Sequence, residues 1–434
     1  MAKIIYRSAE IPPWPKLIVY GLQGVAMATY PIAWGLAFVG FGLDLAGAQL
    51  ATFVTATVFT VGLTTLAHAL AGHRLGVLSG PHIVPAFTML TAYQAGLPLA
   101  EVFGGLLVGA VLSVVLGLLG VANLLQRFFT PLVMGSLIVM IGLGTASVGV
   151  PFLTELGVPF LLLAVGLGVG IGYISFTLSG FVSTIAVLII VVIGYVISIA
   201  TGHLNWQLVL DFPLISPPRL FLFGLAWPRP SILISAVVAM LVSGMQEIMH
   251  VSAIAQVADE PQAARRVKPA LSVFGLVGGV IPSFLSATPL VTYAVNAGFI
   301  AATGVVSRYP MMVAGLLLMV ISALGPLAGF LAAMPKPLAG AILLGVAGPV
   351  IGIGARFWRT GTPHFGDVEA FIVGFSIFLA LGWQALPPEF VTQLPGWVSQ
   401  VLGNPLIAVL VYVIVLEQVV FRKRNAFHST PNTS

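Results

Sequence analysis

The chain has 434 residues, 59% of them hydrophobic and only 7% charged, with a mean hydropathy of +1.10, whereas a soluble domain is about 25% charged. Charges this sparse cannot coat a water-facing surface, which excludes a soluble globular protein. The absence of cysteine excludes a disulfide framework and a thiolate metal site.

Apolar runs recur at about the 20 residues that a helix needs to cross the hydrocarbon of a bilayer. In chain order they predict spans over 17–40, 46–71, 75–91, 102–124, 131–150, 157–176, 180–200, 231–256, 270–287, 288–305, 311–333, 337–355, 368–384 and 402–420, fourteen in all. The first is too long for a signal-peptide core and further spans follow it, so no cleaved leader is expected. An even count puts both termini on one side. With the N-terminus inside, Lys3, Arg7, Lys16, Arg74, Arg127, Arg265, Arg266, Lys268, Arg308, Arg356, Arg359, Arg422, Lys423 and Arg424 are cytoplasmic, fourteen of the 17 basic residues; Arg219, Arg229 and Lys336 fall outside. The positive-inside rule therefore expects both tails in the cytoplasm, and it accounts for the net charge of +5 without nucleic acid.

Between the seventh and eighth spans, 203–230 holds Asp211, Pro213, Pro217, Pro218, Pro228 and Pro230 among aromatic residues, which predicts extended or interfacial structure on the outer side. It divides the chain into halves of seven spans. The third window of each half is interrupted: 77–87 reads VLSGPHIVPAF and 284–299 reads FLSATPLVTYAVNAGF. Paired broken segments point to a transporter binding site, because unwound backbone survives at membrane depth only when buried in protein or lining a cavity. Proline lacks an N–H, and Val, Thr and Tyr favour extended backbone, so each window is expected to be a short strand feeding a half-helix. The plainer alternative is a pair of proline-kinked packing helices.

Among the 12 acidic residues, Glu247 alone falls near the middle of a predicted span, where an ionisable group is a functional candidate by default. His250 lies three residues on, and Gln246 four before His250, so these side chains share much of one helix face. Gln246 offers donors and an acceptor, and His250 can donate, accept or titrate. Together they suit a heterocycle with alternating N–H and C=O groups, or proton carriage by the Glu247/His250 pair; the alternative is a glutamate neutralised by a packing hydrogen bond. Gln23 sits between Gly21 and Gly24 in the first span, placed either for solute or for close helix packing. His82 follows the first breaker, and Thr292, Tyr293 and Asn296 follow the second. His68 and Glu417 read as structural or interfacial.

These residues resemble the nucleobase–ascorbate transporter family, the xanthine/uracil permeases. The strongest match is PLVTYAVNAGFIAATGVVSR at 289–308, similar to the family's tenth-span signature; GLQG at 21–24, the GVLSGP window and MPKPLAGAILLGVAG at 334–348 add to it, and the likeness spans most of the chain. The resemblance implies an all-α polytopic fold of fourteen spans in a 7+7 inverted repeat, with short strands at the central site. It implies a cytoplasmic tail over 1–16, core-domain spans at 17–124 and 231–333, gate-domain spans at 131–200 and 337–420, an outer linker at 201–230 and a cytoplasmic tail at 421–434. It further implies a homodimer in the bacterial inner membrane, elevator-type alternating access, and uptake of purines, pyrimidines or ascorbate on a proton or sodium gradient, without a bound cofactor.

Carried over residue by residue, the likeness shows departures. Val295 precedes Asn296 where the family has Glu before Asn, and Gln246 takes the place of the usual eighth-span Glu, with Glu247 displaced by one residue and so rotated by about 100° on the helix. His82 aligns with an aromatic position, and the family's Gln-His pair becomes Gln23-Gly24. The expected solute site therefore comprises Gln23, His82, Gln246, Glu247, His250 and the 294–296 segment Ala294, Val295 and Asn296, with Glu247 and His250 as proton-coupling candidates. A same-fold carrier of another solute or anion, a facilitator without ion coupling and a non-transporting membrane scaffold are the alternatives. No nucleophile-base constellation indicates an enzyme.

Overall fold

A computed structural model describes residues 4–119, 128–260, 263–293, 297–362 and 365–421. The first-half helices are α1 (Trp14–Gly35), α2 (Gly47–Leu70), α3 (Ile83–Gln94), α4 (Leu99–Leu119), α5 (Pro131–Leu153), α6 (Val158–Thr177) and α7 (Ala186–Ala200). The second half contributes α8 (Pro230–Val257), α9 (Ala263–Gly275), α10 (Ala297–Thr303), α11 (Tyr309–Ser322), α12 (Gly325–Ala332), α13 (Lys336–Gly361), α14 (Asp367–Trp383), α15 (Gly396–Gly403) and α16 (Pro405–Val415). Strands β1 (Ser79–Pro81) and β2 (Leu290–Thr292) precede α3 and α10.

Among the described residues, eight helices are long and apolar enough to cross a bilayer, or nine if α15 and the helix after it, bent by 92°, form one span. The other expected windows hold shorter or broken helices. The 311–333 window splits into α11 and α12 because the outer linker docks at the break: Ser216 N–H donates to Ala323 O, Gly325 N–H donates to Leu214 O, and Pro326 starts the new helix. The linker itself is largely irregular, with one short helix at Trp206–Leu210.

The helices associate in two groups. α2 runs along α11 and α4 along α8, with α1 against α11, while α13 packs along both α5 and α6 and α16 along α5. Small residues allow these approaches, as lipid-embedded interfaces require: a Cβ on Gly142 of α5 would lie 2.4 Å from the Ile351 side chain on α13. The strand-helix units sit between the two groups. α3 touches α8 as well as α15 and α16.

Candidate functional site

The two interrupted windows meet as an antiparallel ribbon, with Ser79 opposite Thr292, Gly80 opposite Val291 and Pro81 opposite Leu290. Its ends are held by Tyr293 N–H donating to Leu78 O and His82 N–H donating to Pro289 O. Gly80 is required by close approach, since a Cβ there would lie 2.4 Å from Pro31 Cβ and 2.8 Å from the Tyr293 ring. Buried strand backbone is tolerated here because each strand satisfies the other.

A cavity of about 370 Å³ opens beside the ribbon, a volume suited to a small heterocycle. One wall carries Pro81, His82, Val291 and Tyr293 from the ribbon and Gln246 and His250 from α8. Tyr30 and Trp34 from α1 form a second wall, and α5 and α13 close the cavity with apolar side chains including Ile141, Val350 and Phe357. Tyr30 and Tyr293 meet edge to face at 5.7 Å between ring centroids, and the Tyr293 hydroxyl donates to Pro81 O at 2.6 Å. Beyond this aromatic pair lies a second lobe of about 370 Å³, lined by Ser175, Thr184 and Arg356 among others.

The polar groups are oriented by their partners. His82 Nε2 lies 2.5 Å from Gln246 Oε1 and Nδ1 lies 2.7 Å from Ser243 Oγ, whose one hydroxyl hydrogen serves either that ring nitrogen or Ala239 O, also at 2.7 Å. Because the carboxamide oxygen only accepts, His82 Nε2 carries a hydrogen. Gln246 Nε2 is buried and, among the described residues, has no hydrogen-bond partner. His250 Nδ1 donates to Thr292 O at 2.6 Å, so the neutral ring keeps a lone pair on Nε2. On this face of α8 a free donor at Gln246 and an acceptor at His250 stand four residues apart.

Glu247 occupies a different face. It is fully buried, absent from the cavity wall, and accepts from Thr292 N–H at 2.6 Å through Oε2 and from Thr292 Oγ1–H at 2.8 Å through Oε1. On its other side His68 Nε2 lies 3.8 Å from Oε1, and the His68 and His73 rings stack at 4.6 Å. His68, His73 and Glu247 offer atoms of ligand type within 4.8 Å of one another. His73 Nδ1, however, accepts from Leu75 N–H at 3.0 Å, which puts the neutral ring's hydrogen on Nε2 and leaves no lone pair there for a cation.

The structure thus brings His82, Gln246 and His250 together at one cavity and sets Glu247 behind them. Gln23 lines neither lobe: its Oε1 is buried without a partner among the described residues, and flanking Gly21 and Gly24 press on Val313 and Ala314 of α11. Ala294, Val295 and Asn296 lie outside the described residues, as do Lys3, Arg127 and the basic cluster Arg422, Lys423 and Arg424. Glu417 accepts from Thr130 Oγ1, a helix-end contact. Sequence reasoning missed Tyr30, Trp34 and Ser243, which their local sequence does not set apart from lipid-facing or packing residues.

Two broken helices crossing through a strand pair beside a central cavity, within a bundle of apolar helices, define a polytopic membrane protein of the transporter type. A family model described as a permease family, that of the xanthine/uracil permeases, matches residues 15–389. The chain belongs to this family, and it is a permease rather than an enzyme. It is 26% identical over 437 residues to the xanthine permease XanQ of Escherichia coli, covering 93% of this chain and 91% of that protein. To the uric acid permease PucJ of Bacillus subtilis it is 26% identical over 375 residues, 81% of each chain. A putative purine permease of Clostridium perfringens is 23% identical over 431 residues, 96% of this chain and 93% of the relative. Among solved structures, the transmembrane domain of the cyanobacterial bicarbonate transporter BicA aligns with a TM-score of 0.58 at 15% identity, covering 94% of this chain and 99% of that one. The murine anion transporter Slc26a9 in its inward-facing state aligns at 0.61 and 14% identity, over 95% and 69% respectively. These two likenesses concern the fold.

Proposed function

We propose that this permease is a secondary transporter that takes up a purine or a similar nucleobase through the central cavity. The observation that carries the reading is the unpartnered Gln246 Nε2 donor on the cavity-lining face of α8, about one helical turn from the His250 ring with its Nε2 lone pair. An edge presenting C=O next to N–H, as purine and pyrimidine lactams do, pairs with both at once, and a site built to hydrogen-bond such groups rejects analogues that lack them. Tyr30, Trp34 and Tyr293 supply the flat apolar surface that a heterocycle needs. The names of the curated relatives, permeases of xanthine, uric acid and purine, support the same substrate class.

In this reading residues 17–124 and 231–333 form a core that carries the site, and 131–200 and 337–420 form a gate against which it slides. The association of α2 with α11 and of α5 with α13 supports that division. Proton symport, a homodimer, and an inner-membrane location with both tails cytoplasmic belong to the same proposal; the distribution of basic residues supports the orientation. A second reading, transport of an anion, is favoured by one feature, Arg356 in the adjoining lobe.

A thermal-shift screen of purines, pyrimidines, ascorbate and bicarbonate discriminates the two, since a ligand selective for the folded state raises the melting temperature. Purines are expected to give the largest shift. A shift with bicarbonate and none with any nucleobase overturns the proposal.

A further inference from the structure

Glu247 poses a problem that the cavity does not solve. Its side chain has no solvent exposure and, among the described residues, no ion-pair partner apart from the titratable His68, and an isolated carboxylate in a dry interior costs several kcal/mol. Both oxygens accept from Thr292, so ionisation is only partly compensated. Protonating the carboxyl removes the charge but creates an O–H that needs an acceptor. His68 stands on the side of Glu247 facing α2, fully buried, and among the described residues neither ring nitrogen has a hydrogen-bond partner.

We propose that Glu247 and His68 share one proton, held between Glu247 Oε1 and His68 Nε2 behind the solute cavity, and that this proton holds Thr292, and through it His250, in register. The inference rests on reading the cavity as the solute site. The proton balance is simple. With the proton on Glu247, Oε1–H donates to His68 Nε2; with the proton on the ring, Nε2–H donates to the carboxylate. Neither form leaves an unpaired buried charge. The atoms lie 3.8 Å apart, so closing to hydrogen-bond length takes a movement of about 1 Å.

The surrounding groups favour a shared proton over a bound cation. His73, stacked on His68, presents Nε2–H because Leu75 occupies its Nδ1, and its backbone oxygen is fixed by Arg266 at 2.8 Å. On the cavity side stand neutral Gln246, His82 and His250, the last committed to Thr292 O. Thr292 is therefore held at all three polar atoms: N and Oγ1 by Glu247, O by His250. His68 is a positioning residue in this arrangement. It acts on solute recognition only through Glu247 and Thr292.

The test compares the reconstituted full chain with Glu247→Gln, His68→Leu and His68→Gln by infrared spectroscopy and by radiolabelled xanthine uptake. The unaltered protein should show the carbonyl stretch of a protonated carboxylic acid at neutral pH, absent in Glu247→Gln and moved to higher frequency in His68→Leu, which has no acceptor. His68→Gln, whose side-chain oxygen accepts, should restore the band position, and should keep the KM for xanthine within twofold where His68→Leu raises it at least fivefold with a smaller effect on kcat. The absence of both a protonated-carboxyl band assignable to Glu247 and an imidazolium band assignable to His68, or spectra and a KM in His68→Leu equal to those of the unaltered protein, overturns the proposal. Thermal stabilisation by zinc that His68→Gln abolishes also overturns it, in favour of a metal. Should His68→Leu fail to fold, Glu247→Gln still reads the band. The infrared signature needs no solute, so a permease that ignores xanthine defeats the substrate reading and leaves the shared proton standing.

Discussion

Glu247 accepts both polar hydrogens of Thr292, the backbone N–H at 2.6 Å and the hydroxyl at 2.8 Å, while His250, one helical turn on, takes the same residue's carbonyl. One strand residue is thereby fixed to α8 by every polar atom it has, and the cavity inherits its shape from that attachment. The side chains that line the cavity and those that hold the ribbon are neighbours on one helix.

Thr292→Val keeps the shape of the side chain but removes the hydroxyl. Leaving one buried carboxyl oxygen short of a donor should destabilise the protein by about 1 to 3 kcal/mol. Thermal melting in detergent reads this, and a melting temperature equal to that of the unaltered protein would show that the hydroxyl contact contributes nothing.

Gly80→Ala inserts a methyl where 2.4 Å separates the ideal Cβ from Pro31 and 2.8 Å from Tyr293. The ribbon must move away from α1, at a cost of about 1 to 3 kcal/mol as for other overpacked cores. Because Tyr293 lines the cavity, uptake per folded molecule should fall sharply even at a temperature where the protein remains intact. Normal uptake with lowered melting alone would mean that the ribbon's position does not matter to the solute.

Gln246→Ala removes the unpaired Nε2 donor and also frees His82 Nε2 from its acceptor. Loss of one hydrogen bond worth about 1.4 kcal/mol weakens solute binding about tenfold. Isothermal titration with the purine that gives the largest thermal shift checks this. Gln23→Ala, remote from both lobes, should bind that purine as the unaltered protein does.

The proposed sliding of core against gate can be tested by cross-linking. Asn404 Nδ2 donates to Thr88 Oγ1 at 3.0 Å, joining α3 to the start of α16, where Asn404 also caps the helix through Leu406 and Ile407. The chain contains no cysteine, so Thr88→Cys with Asn404→Cys gives a clean oxidisable pair. Oxidation should stop uptake and reduction restore it, with Asn404→Cys alone controlling for the lost cap, about 1 kcal/mol. Unimpeded uptake by the cross-linked protein rules out relative movement at this contact.

Much of this arrangement was legible in the sequence because it is local. Gly80, Pro81, Pro85 and Pro289 announce where helices break, and the four-residue spacing of Gln246 and His250 places both on one face before any coordinates are known. The partners across the fold were not legible. Nothing near Glu247 in sequence names Thr292 or His68 as its neighbours, and the one-residue offset from Gln246 indicates a rotation about α8 without saying what lies there. Tyr30 and Trp34 were hidden for another reason: in a chain this apolar, an aromatic residue facing a cavity has the same sequence context as one facing lipid. The division of 311–333 into α11 and α12 depends on docking by the distant linker, which local hydropathy does not record.

The central claim is that the free donor on Gln246 and acceptor on His250 read the edge of a nucleobase. Proteoliposome uptake of radiolabelled xanthine, with unlabelled uric acid and bicarbonate as competitors, tests it most directly. The account predicts saturable uptake that uric acid competes away, that bicarbonate leaves untouched, and that Gln246→Ala weakens about tenfold in KM. Bicarbonate uptake by the same vesicles, with no transport of xanthine or any other nucleobase, would contradict it.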